Sequence, residues 1–453
     1  MVPEVGGKEL EKIEKTVQAM RELSQRLAAT KPETLVFITP HGPLQRDRLV
    51  LAGPAQLRGD LGAFGAPQVA FSVANDRELT AAIKARADRA GFPVEVSERW
   101  SGWGYRTGAA LDHGVVAPLY YLRQGLAAYK IVVTTYALLA LETLYAFGAT
   151  LRQVIEESGR RVAVVASGDL SHRLLPGAPA GYDPEGIVFD EKLRELLGRL
   201  DVTGVMELPE ALVERAGECG LRSLVIALGA LDGLAVAVDL LSYEGPFGVG
   251  YLVAALAPRG EDPGRRLQEQ LARRRQEELD RRRAQESLPV RLARETLETY
   301  VREGRVPAPP VPLPAELQKT AGVFVSLKKH GQLRGCIGTI RATKANLAEE
   351  IIANAIQAGT RDPRFDPVRP EELPEITYSV DVLGEPEPVK SLEELDPKRY
   401  GVIVRKGWRS GLLLPDLEGV DTVEVQVRIA KQKAGLAPDE DCELERFEVT
   451  RYY

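Results

Sequence analysis

Apolar residues recur along the first half of this chain in two alternating periods, and the alternation predicts a layered fold. Leu10, Ile13, Val17, Met20, Leu23 and Leu27 are spaced as one helical face among charges, so residues 8–29 read as an amphipathic helix. A continuous apolar run, Thr34 to Thr39, follows and ends at Pro40-His41. Val69–Val73 and Val94–Val96 read as short strands, with a helix over Glu78–Ala90 between them. Lys130–Thr135 reads as a strand, Leu138–Ser158 as a helix, and Arg161–Ala166 as a strand ending in the turn Ser167–His172. Strands that are apolar throughout belong in a sheet covered on both faces. Two later strands, near 234–243 and 249–257, flank the turn residues Tyr243–Gly248 and predict a hairpin or bulged antiparallel edge. The expectation for residues 1–258 is an α/β domain, a three-layer mixed sheet with flanking helices.

The pattern breaks at 259–287. Arg265-Arg266, Arg273-Arg274-Arg275 and Arg281-Arg282-Arg283 alternate with acids, and only Leu267, Leu271 and Leu279 are apolar. This reads as a solvated linker helix laced with i,i+4 ion pairs; a nucleic-acid contact is the sharper alternative, which the interleaved acids weaken. A second domain spans 288–453. It opens with a helix over 289–303 and an extended segment through Pro307–Pro314. Strands at Gly322–Leu327 and Leu333–Thr339 read as a hairpin. A helix over Leu347–Gln357 and strands near 376–383, 401–405 and 422–428 complete an α+β domain.

Composition narrows the classes. At 453 residues the chain needs more than one core. A net charge of −6 implies no global attraction to nucleic acid or to an anionic membrane. The three cysteines, Cys219, Cys336 and Cys442, are far apart with no CxxC pair, which fits a reducing cytoplasm. The stretch Ile131–Phe147 contains Glu142 and is short for a bilayer, and no segment has the form of a signal peptide, so no membrane role is expected.

Scarce residues mark the candidate chemistry. Of four histidines, His41, His113 and His172 each follow an apolar run and sit among turn residues. Ligands and catalysts collect beyond the carboxyl ends of strands in open α/β sheets. A shared metal or proton-transfer site is therefore expected, against the alternative that each imidazole only bonds backbone in its turn. A non-haem Fe(II) site of the facial type needs two imidazoles and a carboxylate. His41 is a ligand candidate, and Glu218, in a Gly-flanked turn before Leu224–Leu231, is the best-placed carboxylate. Asp169 and Ser171 are polar neighbours able to orient His172 for acid–base work.

Residues 2–257 carry a family resemblance in Val2–Gly6, Thr39–Pro43, Leu111–Gly114, Gly168–His172, Glu218–Gly220 and Tyr243–Gly250. They resemble the class III extradiol ring-cleavage dioxygenases, B-subunit type, and the related Memo family. The resemblance implies His41 as a metal ligand, Glu218 or adjacent Cys219 as another, His172 as the acid–base residue, and His113 as a supporting or substrate-contacting imidazole. In that family a first ligand comes from a Pro-His-x-Pro strand end just before the stretch that here begins at Val2-Pro3-Glu4. The resemblance therefore implies weak or absent metal, and one central strand fewer, in the sequence as written.

In the second domain, Gly335 and Gly338 in Leu333–Gly338 mark close backbone approach or a bulge. Arg334 beside Cys336 suggests a lowered thiol pKa and a nucleophile; a small cysteine packed under a sheet is the alternative, since His330 sits in a turn and no base is evident. Arg361 and Arg364, around Asp362, are fork donors for a carboxylate or phosphate, or else pair internally with Asp362 and Asp366. Leu333–Gly338, Arg361–Phe365, Ile376–Ser379 and an expected closing strand Val423–Val427 resemble the AMMECR family, which implies two subdomains with a cleft between them. The fusion resembles the AmmeMemoRadiSam set, which implies a radical SAM partner; no CxxxCxxC motif is present here. Three functions follow as expectations: an Fe(II) oxidoreductase acting on a small molecule, a non-catalytic metal-binding scaffold for that partner, or a Cys336-dependent modifying enzyme.

Overall fold

The computed structural model describes residues 1–101, 109–329, 331–417 and 419–453; the turn assigned to His330 lies outside them. The chain divides into two compact units, Met1–Arg273 and Arg274–Tyr453.

In the first unit, α1 (Glu14–Thr30) precedes β1 (Thr34–Thr39), β2 (Leu49–Ala52), β3 (Gln56–Leu61) and β4 (Ala66–Ala74). Next come α2 (Arg77–Arg89), β5 (Val94–Ser97), β6 (Trp100–Ser101), β7 (Ala109–Ala110), α3 (His113–Leu122), β8 (Lys130–Thr135), α4 (Leu141–Ser158) and β9 (Val162–Ala166). Helices α5 (Glu185–Gly198), α6 (Val202–Met206), α7 (Glu210–Ala216) and α8 (Leu221–Gly229) then lead to β10 (Leu234–Glu244) and β11 (Tyr251–Glu261).

The central sheet has five strands in the order β5-β2-β8-β1-β9. β8, β1 and β9 run parallel, and β2 is antiparallel to β8, so the sheet is mixed. Every residue of β1 is buried. Val36 and Ile38 enter one core with α2, α4, α5 and α8, while Leu35 and Phe37 enter another with α3, β3 and β4. Alternate residues of a strand point to opposite faces, so this one run serves two layers, as its unbroken apolar character requires. β9 is an edge of this sheet, and Val162 to Val165 are only half-buried. β10 and β11 form a separate antiparallel hairpin with two register shifts. β4, β3, β7 and β6 form a further four-stranded sheet, of which the sequence pattern revealed only part of β4.

The charged stretch is α9 (Leu267–Gln285), an exposed helix in which Arg282 pairs with Glu278 one turn away. The second unit continues with α10 (Leu288–Glu303), β12 (Val323–Lys329), β13 (Gln332–Gly338), α11 (Leu347–Thr360), β14 (Ile376–Leu383), β15 (Glu387–Val389), β16 (Gly401–Lys406), β17 (Arg409–Leu413), α12 (Val423–Lys433), β18 (Glu443–Phe447) and β19 (Val449–Tyr452). β12 and β13 form the expected hairpin. Two four-stranded sheets result, β13-β12-β14-β19 and β15-β18-β16-β17.

One expected strand is a helix. Val423, Val425, Val427 and Ile429 alternate with polar residues and read as a half-buried strand, yet the segment forms α12. Thr422 caps it by accepting the Val425 N–H at 3.4 Å, and Gln426, Val427 and Ala430 are buried at helical spacing. Gln426 also donates to the Tyr400 carbonyl at 2.8 Å, a bond a strand register would not place there. Tertiary burial overrides the local β preference.

Helices α4 and α8 meet at two glycines. A Cβ on Gly148 would lie 2.0 Å from the Ile226 carbonyl oxygen, and one on Gly229 would lie 2.1 Å from that of Tyr145. Alanine normally favours a helix over glycine by about 1 kcal/mol. Here the clash is with backbone, and overpacking of this kind costs roughly 1–3 kcal/mol. Gly148→Ala should therefore lower the calorimetric midpoint of the first unit's transition; an unchanged or raised midpoint would contradict the close crossing.

Candidate functional site

Four chain segments converge at the carboxyl end of the parallel strands. β1 delivers Thr39 and His41, β9 delivers Ser167 to His172, the turn before α8 delivers Glu218 and Cys219, and the start of α3 delivers Asp112 and His113.

The turns at 168–172 and 217–220 are locked together. The Cys219 N–H donates to the Asp169 carbonyl at 3.2 Å, and the Asp169 N–H donates to Cys219 Sγ at 3.1 Å. A Cβ on Gly168, at φ +151°, would lie 2.5 Å from Gly220 Cα. Only glycine permits that approach. Asp190 braces the same turn from behind, accepting the Ser171 N–H at 2.8 Å and the Tyr243 hydroxyl at 2.7 Å. Burial raises its carboxyl to about 6.

The result is a compact donor cluster. His172 Nε2 lies 3.5 Å from Asp169 Oδ2 and 3.8 Å from Cys219 Sγ. One donor atom from each of the three residues falls within 4.8 Å of the other two. The Asp169 carboxylate raises the His172 pKa, against the effect of burial. Burial, with Asp169 and Glu218 nearby, pushes the Cys219 thiol up to about 12. His41 is lowered to about 4, chiefly by burial and secondly by His113. The His41 and His113 rings stack at 4.2 Å between centroids, and Phe64 meets His113 edge-on at 5.1 Å. A cavity of about 380 Å³ opens beside them, with His41, His113 and Asp169 in a wall that is otherwise mostly apolar, including Phe64, Met20 and Val165.

Two neighbouring carboxylates behave differently. The Glu218 side chain is buried and accepts the Leu221 N–H at 2.6 Å, capping α8. Burial raises its pKa. It stands beside the donor cluster and not in it. Asp112 had no role assigned from sequence. It is fully buried, Oδ1 accepts from Thr39 Oγ1 at 2.7 Å, and Oδ2 has no hydrogen-bond partner. Thr39 Oγ1 in turn accepts the His41 N–H at 3.3 Å, so the buried carboxylate reaches His41 through Thr39. The Leu-Asp-His-Gly string was the available signal for Asp112; no sequence signal marked Phe64 or Asp190.

The candidates of the second unit form a separate set. Contrary to the expected activation, Arg334 does not serve Cys336. It makes a bidentate pair with Glu372 at 3.0 and 2.9 Å and donates to the Asp366 carbonyl. Burial pushes the Cys336 thiol up, the opposite of nucleophilic activation, although the Ser326 hydroxyl at 3.2 Å and Arg364 act in the other direction. Asp362 accepts the Cys336 N–H at 2.9 Å and binds Arg364 at 2.9 and 2.6 Å. Arg364 holds its carboxyl down at about 2. Arg364 is thus paired internally, while Arg361 is exposed at the end of α11.

The donor chemistry of the first unit suits a divalent transition metal: a thiol, an imidazole and a carboxylate combine soft and intermediate ligands of the kind iron and zinc accept. A bound cation would hold Cys219 as the thiolate, so uptake would release a proton. Among the described residues, no helix is long and apolar enough to cross a membrane.

Residues 1–254 match the family model described as the catalytic LigB subunit of aromatic ring-opening dioxygenase, and residues 290–452 match AMMECR1. Protein CA_C1420 of Clostridium acetobutylicum is 43% identical over 454 residues, covering 100% of this chain and 96% of its own. A protein of Thermotoga maritima is 59% identical over 166 residues, 36% of this chain and 95% of its own. The crystal structure of the uncharacterized protein PH0010 from Pyrococcus horikoshii is 36% identical and covers 36% of this chain and 88% of its own, at a TM-score of 0.35.

With any metal removed by a chelator, the two perturbed imidazoles should titrate in opposite directions from 6.5. His41 should stay neutral until about pH 4; its contribution to stability is present above 6.5 and lost as pH falls toward 4. His172 should hold its proton above 6.5; its contribution is present below 6.5 and lost as pH rises through the folded value. Histidine-selective NMR titration of this four-histidine chain reads both, and the reverse order would refute the arrangement.

Proposed function

We propose, for a chain that belongs to the LigB family over residues 1–254 and carries an AMMECR1 domain over 290–452, that the first unit is a metal-dependent oxidoreductase site for a small, largely apolar substrate. The observation that supports this best is the juxtaposition of Asp169, His172 and Cys219 beside a cavity walled by His41, His113 and Asp169. Of the clustered donors, Cys219 and Asp169 are assigned to hold the metal together with His41, which lies outside that cluster on the cavity wall, and His172 is kept for proton transfer. Glu218, expected from sequence as the carboxylate ligand, is assigned to capping α8 instead. An iron(II) ion there would supply open positions for dioxygen and a chelating, catechol-like substrate.

The chain's own residues then divide the remaining work. His172, charged more readily because of Asp169, holds the proton that substrate deprotonation releases and returns it later. The stacked His41 and His113 rings, with Phe64 at their edge, present a flat wall against which a planar substrate packs. Apolar residues such as Met20 and Val165 keep water from the far side of the cavity.

Anaerobically purified protein, reconstituted with iron(II), should lose at least roughly 10–100-fold in metal affinity on Cys219→Ser or His41→Ala, since removing a ligand costs no less than removing a group that only supports one. His172→Ala should retain metal but lose catechol-dependent dioxygen uptake. Full metal retention in both ligand variants would sink the metal assignment; uptake undiminished in His172→Ala would sink the proton role alone.

A further inference from the structure

The second unit carries a groove of about 460 Å³ that none of the chemistry above uses. It is lined by α11, the end of α10 and the extended segment after it. Its floor is apolar. Ile352, Ala353 and Ile356 present one helical stripe, and Tyr300 closes the side. Pro307 and Pro309 line the opposite wall. Prolines have no backbone N–H, so this wall is poor in donors and pre-shaped at little entropic cost.

The polar groups at the groove are few and unequal. Arg361 stands at the C-terminal end of α11 and Lys344 just before its N-terminus. Arg334 is consumed by Glu372 and Arg364 by Asp362. The Arg361 side chain has no hydrogen-bond or ion-pair partner among the described residues, although its N–H donates to the Gln357 carbonyl at 2.8 Å. A cation at a helix C-terminus complements the dipole without any ligand. The dipole does not account for the apolar groove that leads to it. At the other end Glu349, which accepts from Asn346 Nδ2 at 3.0 Å, lines the groove together with Lys344 and disfavours an anion there.

We propose that this groove is a binding site for a small organic anion, with its carboxylate or phosphate on the free Arg361 fork and its apolar body over Ile352, Ile356 and Tyr300. The volume lies within the range of about 300–1,000 Å³ typical of small-molecule sites. A planar guanidinium with both outer nitrogens free is the natural partner of a two-oxygen anion. Direction follows from charge: the anionic group goes to the Arg361 end, away from Glu349.

Phenylphosphate and phenylacetate, titrated into the full-length chain and followed by saturation-transfer NMR, test this, with inorganic phosphate and benzyl alcohol as comparisons. Arg361 is exposed, so Arg361→Gln should fold normally. Loss of one charge-assisted pair should weaken phenylphosphate binding by about tenfold, whereas Lys344→Gln should change it by less than about twofold. Equal affinity in Arg361→Gln and the parent chain would overturn the proposal. So would inorganic phosphate binding as tightly as phenylphosphate, which would mean a surface cation only, or benzyl alcohol doing so, which would mean an apolar groove only. Failure of both aryl anions to bind at millimolar concentration would overturn it as well.

Discussion

The turn after β9 and the turn before α8 pass closer than side chains permit, and the candidate centre depends on that approach. Gly168 and Gly220 remove the atoms that would hold the backbones apart. The gap closes through Cys219 N–H to the Asp169 carbonyl and Asp169 N–H to Cys219 Sγ. These contacts join a residue at 169 to one at 219, and they place a thiol, a carboxylate and an imidazole within reach of one ion. Asp190, buried behind the turn, satisfies the Ser171 N–H that the tight backbone would otherwise leave without a partner.

Burial then sets the electrostatics. The cavity wall keeps His41 neutral and holds the Cys219 proton in place, while the single carboxylate of Asp169 turns His172 the other way. Three groups within one small volume thus have protonation states pushed apart by position alone. Divergent titration among neighbours is common at functional sites, and it is the property a proton-handling centre needs.

In the second unit the same accounting separates structure from vacancy. Arg334 and Arg364 look alike in sequence, short-range fork donors near a cysteine, yet each is satisfied by a buried or half-buried acid. Glu350 shows the same logic in a carboxylate. It is almost fully buried, and its hydrogen bonds from Thr339, Thr343 and the Lys344 N–H outweigh the effect of burial and keep it ionised. Of the arginines singled out from the sequence, Arg361 is the one whose side chain has no partner among the described residues.

Much of the fold was legible because periodicity is local. The run Thr34–Thr39 read as a strand buried on both faces and is one, and the Leu10–Leu27 stripe read as one amphipathic helix, which the chain forms from Glu14 onward after a tighter 3-10 stretch over Gly7–Ile13. The bipartite organisation, the histidines beyond strand ends and the β12–β13 hairpin were readable for the same reason. Val423–Val427 was misread because alternation is also compatible with a helix when a cap and a buried Gln426 favour it. Glu218 was legible as a carboxylate in a turn, but sequence gives no direction for its side chain, which accepts the neighbouring N–H of Leu221. The chain by itself determined which residues could do chemistry and which elements carry them. Only the tertiary structure decided which of them meet, because pairing partners, burial and the clearance between two glycines are relations among segments far apart in sequence.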